Sequence, residues 1–247
     1  MIGSRPSTNG SRPSKEVRVL HTSDNHITGL SSCEALGVLV DKANELRVDL
    51  VLLVGDFFDN SRLGNEVVRE TIAQLSRLAM PTVLLPGNHD QLDAGSIYHH
   101  SAFNHLPSDL HIIRSQEGER LLFHEMGVRV WGRPTYDHDI SFRPLSEPPP
   151  REGPYWHIGM AHGLYVPHGE FPGGSSPIFA HEIEATGYDY VALGHVDGYK
   201  DISQGTVRAA YSGAPVRALD GARLGHVALV HLHPESGVQI EKVPLER

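Results

Sequence analysis

Residues 49–59 read DLVLLVGDFFD, an apolar run that ends on Gly55 and two acidic residues, Asp56 and Asp59. A run without polar alternation is buried on both faces, as in a parallel strand covered by helices. Asp49 to Val54 is therefore expected to be a strand. Upstream, Val17 to Ser23 reads as another such strand. Between them, Ser31 to Arg47 is expected to be a helix, opened by a Ser31–Glu34 capping box, with Leu36, Leu39, Ala43 and Leu46 on one face. Downstream, Val68, Ile72, Leu75 and Ala79 recur at helical spacing over Asn65 to Ala79, and Thr82 to Leu85 is a third buried strand. Strand, helix, strand, helix, strand predicts parallel strands with right-handed crossovers. Each strand then delivers its C-terminal loop to the same edge of the sheet.

Those three loops carry Asp24-Asn25-His26, Gly55-Asp56-Phe57-Phe58-Asp59 and Gly87-Asn88-His89-Asp90. Carboxylates, imidazoles and an amide oxygen brought to one place form a ligand set for hard or borderline divalent ions such as Mn²⁺, Fe or Zn²⁺. Without nearby Lys or Arg, so much acidity repels itself unless cations fill the gap. Two later apolar runs end in the same way, Trp156 to Ala161 before His162-Gly163 and Tyr188 to Leu193 before Gly194-His195-Val196-Asp197. A glycine beside each histidine lets backbone or ligand approach closely. One such strand end is a commonplace turn, but five in one chain point to a single centre.

Beyond Leu106 the pattern becomes β-rich. Leu110 to Ile113, a hairpin from Leu121 to Trp131 turning near Gly127, and closing strands at Val207 to Tyr211, His226 to Leu232 and Val238 to Val243 are expected. Tracts 137–154 and 163–177 are rich in Pro and Gly and read as irregular loops at a site rim, with His168 a solvated loop histidine. The economical architecture is an α/β fold, a two-sheet β-sandwich flanked by helices, with the metal site at C-terminal strand ends. It would occupy residues 16–247 as one domain after a flexible leader, 1–15.

The 247 residues include 39% hydrophobic and 21% charged residues, a balance that excludes wholesale disorder. The formal net charge of -9 argues against a surface that grips nucleic acid unaided. The single cysteine, Cys33, excludes an intramolecular disulfide and a cysteine-built zinc or iron–sulfur site, and is read as packing. No apolar run of transmembrane length and no signal-peptide core is evident, so a cytoplasmic location without membrane partners is expected.

Taken in order, Asp24-x-His26, Gly55-Asp56-x-x-Asp59, Gly87-Asn88-His89-Asp90, His162-Gly163 and Gly194-His195 resemble the motifs of the calcineurin-like metallophosphoesterases over roughly residues 17–215. His21-Thr22-Ser23-Asp24, GDFFDNS, ALGHVD and Tyr211-Ser212-Gly213-Ala214-Pro215 are most similar to the SbcD-type DNA-repair exonuclease branch. Asn60 stands where the phosphoprotein phosphatase branch carries arginine. The resemblance implies two divalent metals, Mn being preferred over Fe or Zn. One would be held by Asp24, His26 and Asp56, the other by Asp56, Asn88, His162 and His195, with Asp56 bridging. It further implies in-line attack at phosphorus by a metal-activated water, with His89 protonating the leaving oxygen or stabilising the transition state and Asp59 orienting His89.

Asp197 departs from the pattern, since the family's GHxH motif has a second histidine there. A carboxylate at that position either ligates a hard ion, the reading adopted, or points away. The implied activity is that of a metal-dependent phosphodiesterase or SbcD-like nuclease acting on a phosphodiester of a nucleotide or nucleic acid. The alternatives are a small-molecule nucleotide or cyclic-nucleotide phosphoesterase and a non-catalytic scaffold, the latter disfavoured by the retained ligands and His89. An SMC-like ATPase partner is also implied by the resemblance. The segment that would couple to it is expected to be absent, because the sequence ends soon after Pro215.

Overall fold

Two six-stranded sheets stack face to face in the computed structural model, which describes residues 13–137, 139, 141–167, 173, 175–215 and 224–246. The first sheet contains β1 (Val17–Thr22), β2 (Leu50–Val54), β3 (Thr82–Leu85), β4 (Leu110–Ile112), β13 (His226–His233) and β14 (Gly237–Pro244), in the order β14-β13-β1-β2-β3-β4. The run β1-β2-β3-β4 is parallel, and β13 and β14 extend it antiparallel. The second contains β5 (Glu119–Phe123), β6 (Val128–Gly132), β7 (Trp156–His162), β10 (Tyr190–Gly194), β11 (Lys200–Asp201) and β12 (Arg208–Tyr211), in the order β11-β12-β10-β7-β6-β5. Its four central strands are parallel, so β7 and β10 also end at one edge.

The strand period of two explains the unbroken apolar runs. From β2, Leu50, Leu52 and Val54 point between the sheets and meet Ile158, Met160, Tyr190 and Ala192. Val51 and Leu53 point the other way, into a core shared with Leu36, Leu39, Val68 and Leu75 of the two helices α1 (Leu30–Leu46) and α2 (Asn65–Leu75). A third cluster, including Ala161, Ile183, Val191, Leu193 and Tyr211, covers the outer face of the second sheet. Truncating one of these leucines to alanine typically costs about 2–5 kcal/mol.

Several local expectations are corrected. Helix α1 is capped at Gly29 rather than at Ser31: the Ser32 hydroxyl accepts from the Gly29 N–H at 3.0 Å and donates to the Gly29 carbonyl at 2.7 Å. The chain thus turns into the helix earlier, leaving the Ser31–Glu34 pair inside it. Helix α2 stops at Leu75, short of Ala79, because Asn44 of α1 captures the chain beyond it. The Asn44 amide donates to the Arg77 carbonyl at 2.9 Å and its oxygen accepts from the Ala79 N–H at 3.1 Å. Within the tract read as wholly irregular, β8 (Leu164–Val166) and β9 (Pro177–Phe179) pair in parallel and lead into a short helix, α3 (Ala180–Thr186). His168 lies outside the described residues, as do residues 1–12 of the expected leader. Inside that leader's span, Pro13 is buried and the Lys15 carbonyl accepts from the Trp156 indole at 3.1 Å. Among the described residues, no helix is long and apolar enough to cross a membrane.

Candidate metal centre

The C-terminal ends of β1, β2, β3, β7 and β10 meet through backbone bonds that fix their loops before any side chain acts. Asp24 N–H donates to the Gly55 carbonyl, His26 N–H to the Asp56 carbonyl, and Gly55 N–H to the Leu85 carbonyl, at 2.8 to 3.0 Å. Six described non-glycine residues have positive φ, and four of them are Asp24 (54°), His26 (43°), Asp56 (49°) and His195 (107°). A backbone held there costs about 1–3 kcal/mol per residue, and such strain concentrates at functional sites. Gly194 permits the closest approach: a Cβ would stand 1.9 Å from the Val54 carbonyl oxygen and 2.7 Å from His162 Nδ1.

Three sets of donor atoms result, each with its atoms within 4.8 Å of one another: Asp24, His26 and Asp197; Asp56, His162 and His195; and His26, Asp56 and His89. Asn88 joins the second set, its Oδ1 lying 3.1 Å from His162 Nε2. All seven expected ligands therefore come to one edge of the sandwich, and Asp56 belongs to two of the sets. Asp24, Asp56 and His162 are each only 2% exposed. His26, Asn88 and His195 are half-buried, and Asp197 is exposed.

The donor chemistry fits a divalent cation. His162 Nδ1–H donates to the Val54 carbonyl at 3.1 Å, so in the neutral ring Nε2 carries a lone pair. That lone pair faces Asp56 Oδ2 and Asn88 Oδ1, each 3.1 Å away, an arrangement that repels unless a proton or a cation lies among the three. Burial pushes the His162 pKa down, but the Asp56 carboxylate outweighs it and holds the value at about 9. Asp56 is correspondingly held below the usual carboxylate range despite its burial, chiefly by His162. Asp24 is pushed up by burial, its two oxygens sharing one backbone donor, the His195 N–H, at 3.0 and 3.1 Å. His195 falls to about 4 through burial and the neighbouring His162. His26 Nδ1 is buried without a hydrogen bond, and the Asp59 carboxylate 3.4 Å away lacks the geometry to supply one.

His89 stands at the rim with its side chain 45% exposed. Its N–H donates to Asp56 Oδ1 at 2.9 Å, and its Nδ1–H donates to the Asp59 backbone carbonyl at 3.0 Å. The Asp59 carboxylate is farther away, 3.9 Å from Nδ1, so Asp59 touches His89 mainly through its backbone.

The residues that hold these loops escaped the sequence reading. Asp90 is fully buried and accepts from the N–H groups of Phe57, Phe58 and Gly87 and from the Tyr98 hydroxyl at 2.5 to 3.1 Å, which locks the loops after β2 and β3 together. Tyr211 accepts from the Tyr165 N–H at 2.7 Å and donates to the Gly163 carbonyl at 2.8 Å, pinning the turn that follows His162. Ser212 meets Ser23, the neighbour of Asp24, at 3.0 Å. The signal available was a motif, YSGAP, that had no chemistry of its own. A surface groove of about 710 Å³ lies elsewhere, beside Leu30, Glu34, Glu66 and Arg69, with no converging ligand set.

Comparison with known proteins agrees with this geometry. A family model described as calcineurin-like phosphoesterase matches residues 17–199. The chain is 28% identical over 168 residues to an uncharacterized metallophosphoesterase of Bacillus subtilis, YhaO, covering 64% of this chain and 39% of that protein. It is 27% identical over 242 residues to the SbcD component of the SbcCD nuclease of the same organism, covering 81% of this chain and 62% of that one. The chain thus spans less than two thirds of the length of either relative. Among solved structures, TT1561 of Thermus thermophilus superposes with a TM-score of 0.59 at 16% identity, covering 94% of this chain and all of the other. A dimetal phosphatase from Danio rerio superposes with a TM-score of 0.55 at 10% identity, covering 93% and 99%. At these identities the structural likeness is one of fold. The family model, spanning the strands that deliver every ligand loop, shows that this chain belongs to the calcineurin-like phosphoesterases, a family of metal-dependent phosphoester hydrolases.

Proposed function

We propose that the protein is a metal-dependent phosphodiesterase whose centre is held by Asp24, His26, Asp56, Asn88, His162, His195 and Asp197. The observation that carries this reading is the sharing of Asp56 between two donor sets, with the His89 imidazole exposed beside them. When bound, a pair of divalent cations supplies water activation and neutralises charge on the phosphoryl oxygens. Asp56 sets the spacing of the pair and is itself fixed by the His89 N–H. Asp90 and Tyr98, both buried, exclude water from beneath the floor and hold the two loops in register. The Asp59 carbonyl keeps the proton of His89 on Nδ1, which leaves Nε2 as the atom that, in the protonated ring, delivers a proton to the leaving oxygen. Mn²⁺ is the preferred ion, because the set mixes carboxylate and amide oxygens with imidazole and lacks thiolate.

Among phosphodiesters, a nucleic acid is supported by the likeness to the SbcCD nuclease, and an ATPase partner by the same likeness. The net charge of -9 favours the second reading, a small nucleotide or cyclic nucleotide, since nucleic-acid affinity draws on Lys and Arg neutralising phosphates. Purified protein assayed with Mn²⁺ against bis-p-nitrophenyl phosphate, p-nitrophenyl phosphate, cyclic nucleotides, and single- and double-stranded DNA tests the proposal. Diesterase activity abolished by chelation and restored by Mn²⁺ is expected. Full activity in protein shown to be metal-free by elemental analysis would overturn it.

A further inference from the structure

The two donor sets that flank Asp56 are not chemically alike. Asp56, His162 and His195 offer two nitrogens and one oxygen, with the Asn88 amide adjoining, on a floor whose members are buried or half-buried. Asp24, His26 and Asp197 offer two carboxylates and one nitrogen, and Asp197 is exposed. The Asp197 backbone is well anchored: its carbonyl accepts from the Ala214 N–H at 3.0 Å, and Gly213 packs so closely that a Cβ would lie 2.9 Å from that oxygen. Its carboxylate, however, has no hydrogen-bond or ion-pair partner among the described residues, although it stands within ligand distance of Asp24 and of the His26 ring, whose Nδ1 is buried without a hydrogen bond. Two carboxylates and an imidazole thus face one another with no side-chain cation between them, and one of the three opens to solvent.

We propose that Asp197 makes the centre asymmetric, so that Asp24, His26 and Asp197 form an oxygen-rich, exchangeable site selective for a hard cation of the Mg²⁺ or Mn²⁺ type. The neighbouring nitrogen-rich pocket retains a borderline ion such as Zn²⁺ or Fe²⁺. Oxygen donors favour Mg²⁺ and Mn²⁺, whereas imidazoles favour Zn²⁺ and Fe²⁺, and a solvent-facing ligand gives the ion a route in and out. The working centre therefore carries two different metals, and the weaker, exchangeable one makes activity respond to the free concentration of a hard divalent cation. This rests on the metal-dependent reading of the site.

Equilibrium dialysis of the chelator-stripped full chain tests it, with elemental analysis for Zn²⁺ and electron paramagnetic resonance for Mn²⁺. Wild type, Asp197→His and Asp197→Asn would be compared. Wild type is expected to take up one Zn²⁺ tightly and a second at least about ten-fold more weakly, and Mn²⁺ added to the one-zinc form should fill the remaining site. Asp197→His should tighten the second Zn²⁺ by about ten-fold and weaken Mn²⁺, while the near-isosteric Asp197→Asn should weaken Mn²⁺ by about ten-fold. In both variants the tight Zn²⁺ should be unchanged, which reports that the fold is intact; Asp197→Asn decides the matter if the histidine variant misfolds. Two Zn²⁺ ions of equal affinity in wild type, or Mn²⁺ affinity within about two-fold of wild type in Asp197→Asn, would overturn the asymmetry while leaving the phosphodiesterase reading standing. Failure of wild type to bind any divalent ion would overturn both.

Discussion

The floor and the rim of the centre are built on opposite terms. Asp24, Asp56 and His162 are each 2% exposed and are held by loops whose backbone is strained and bonded across strands. His89 and Asp59, by contrast, have side chains 45% and 39% exposed, and their mutual contact runs through one backbone carbonyl at 3.0 Å. A buried carboxylate and imidazole cannot move without repacking the sandwich, so the floor suits the fixed task of holding cations. The rim meets solvent, where a proton can be exchanged and a substrate admitted. Holding and proton transfer should therefore separate under mutation.

The largest effect is expected from Asp56→Ala, which removes the carboxylate common to two donor sets. Metal content by elemental analysis should collapse, and bis-p-nitrophenyl phosphate turnover with Mn²⁺ should fall by at least about 10³-fold. Retained metal with lost turnover would break the comparison by placing chemistry in the floor.

Next comes His89→Ala, which leaves metal content intact and lowers kcat by about 10²-fold on a diester with a poor leaving group. On bis-p-nitrophenyl phosphate the loss should be smaller, because nitrophenolate departs with little protonation. Equal losses on both substrates would remove the proton-donor role.

A support of the floor should show up as stability rather than chemistry. Tyr211→Phe strips the hydroxyl that bonds Gly163 and Tyr165, leaving a buried carbonyl and N–H without that partner. Thermal or denaturant unfolding should register about 1–3 kcal/mol lost, together with weaker metal uptake. Unchanged stability would show that the turn after His162 holds itself.

The smallest effect per unit change concerns His21, fully buried beneath the floor with its Nδ1 2.8 Å from the Tyr190 hydroxyl. Burial lowers its pKa from 6.5 to about 3. Between those values the unfolded chain binds a proton that the folded chain refuses, so stability falls as pH drops, by about 1.4 kcal/mol per pH unit. Above pH 6.5 this contribution is constant. Melting curves of metal-free protein should show the slope in wild type and a flatter one in His21→Asn. Parallel slopes would assign the acid sensitivity to other groups.

Local chemistry accounts for what was legible in advance. Apolar runs such as Leu50–Val54 need burial on both faces, and an acidic or imidazole-bearing residue cannot continue such a run, so its position marks the strand end. The helix boundaries at Gly29 and Leu75 were less legible, since they depend on the Ser32 hydroxyl and on Asn44 reaching across from the neighbouring helix. The same holds for Asp90. Its motif was visible, but its partners Tyr98, Phe57 and Phe58 come together only when two loops fold over each other.

From the sequence alone came the parallel α/β frame, the five loops, all seven ligand candidates and His89, because strand periodicity and residue type are local properties. The tertiary structure alone decided that Asp56 is shared between donor sets, that His89 is held by a backbone carbonyl rather than by the Asp59 carboxylate, and that Asp197 stands with Asp24 and His26. Those relations depend on distances between residues far apart in the chain, which are set by how the two sheets stack and how their loops cross, and no local pattern encodes them.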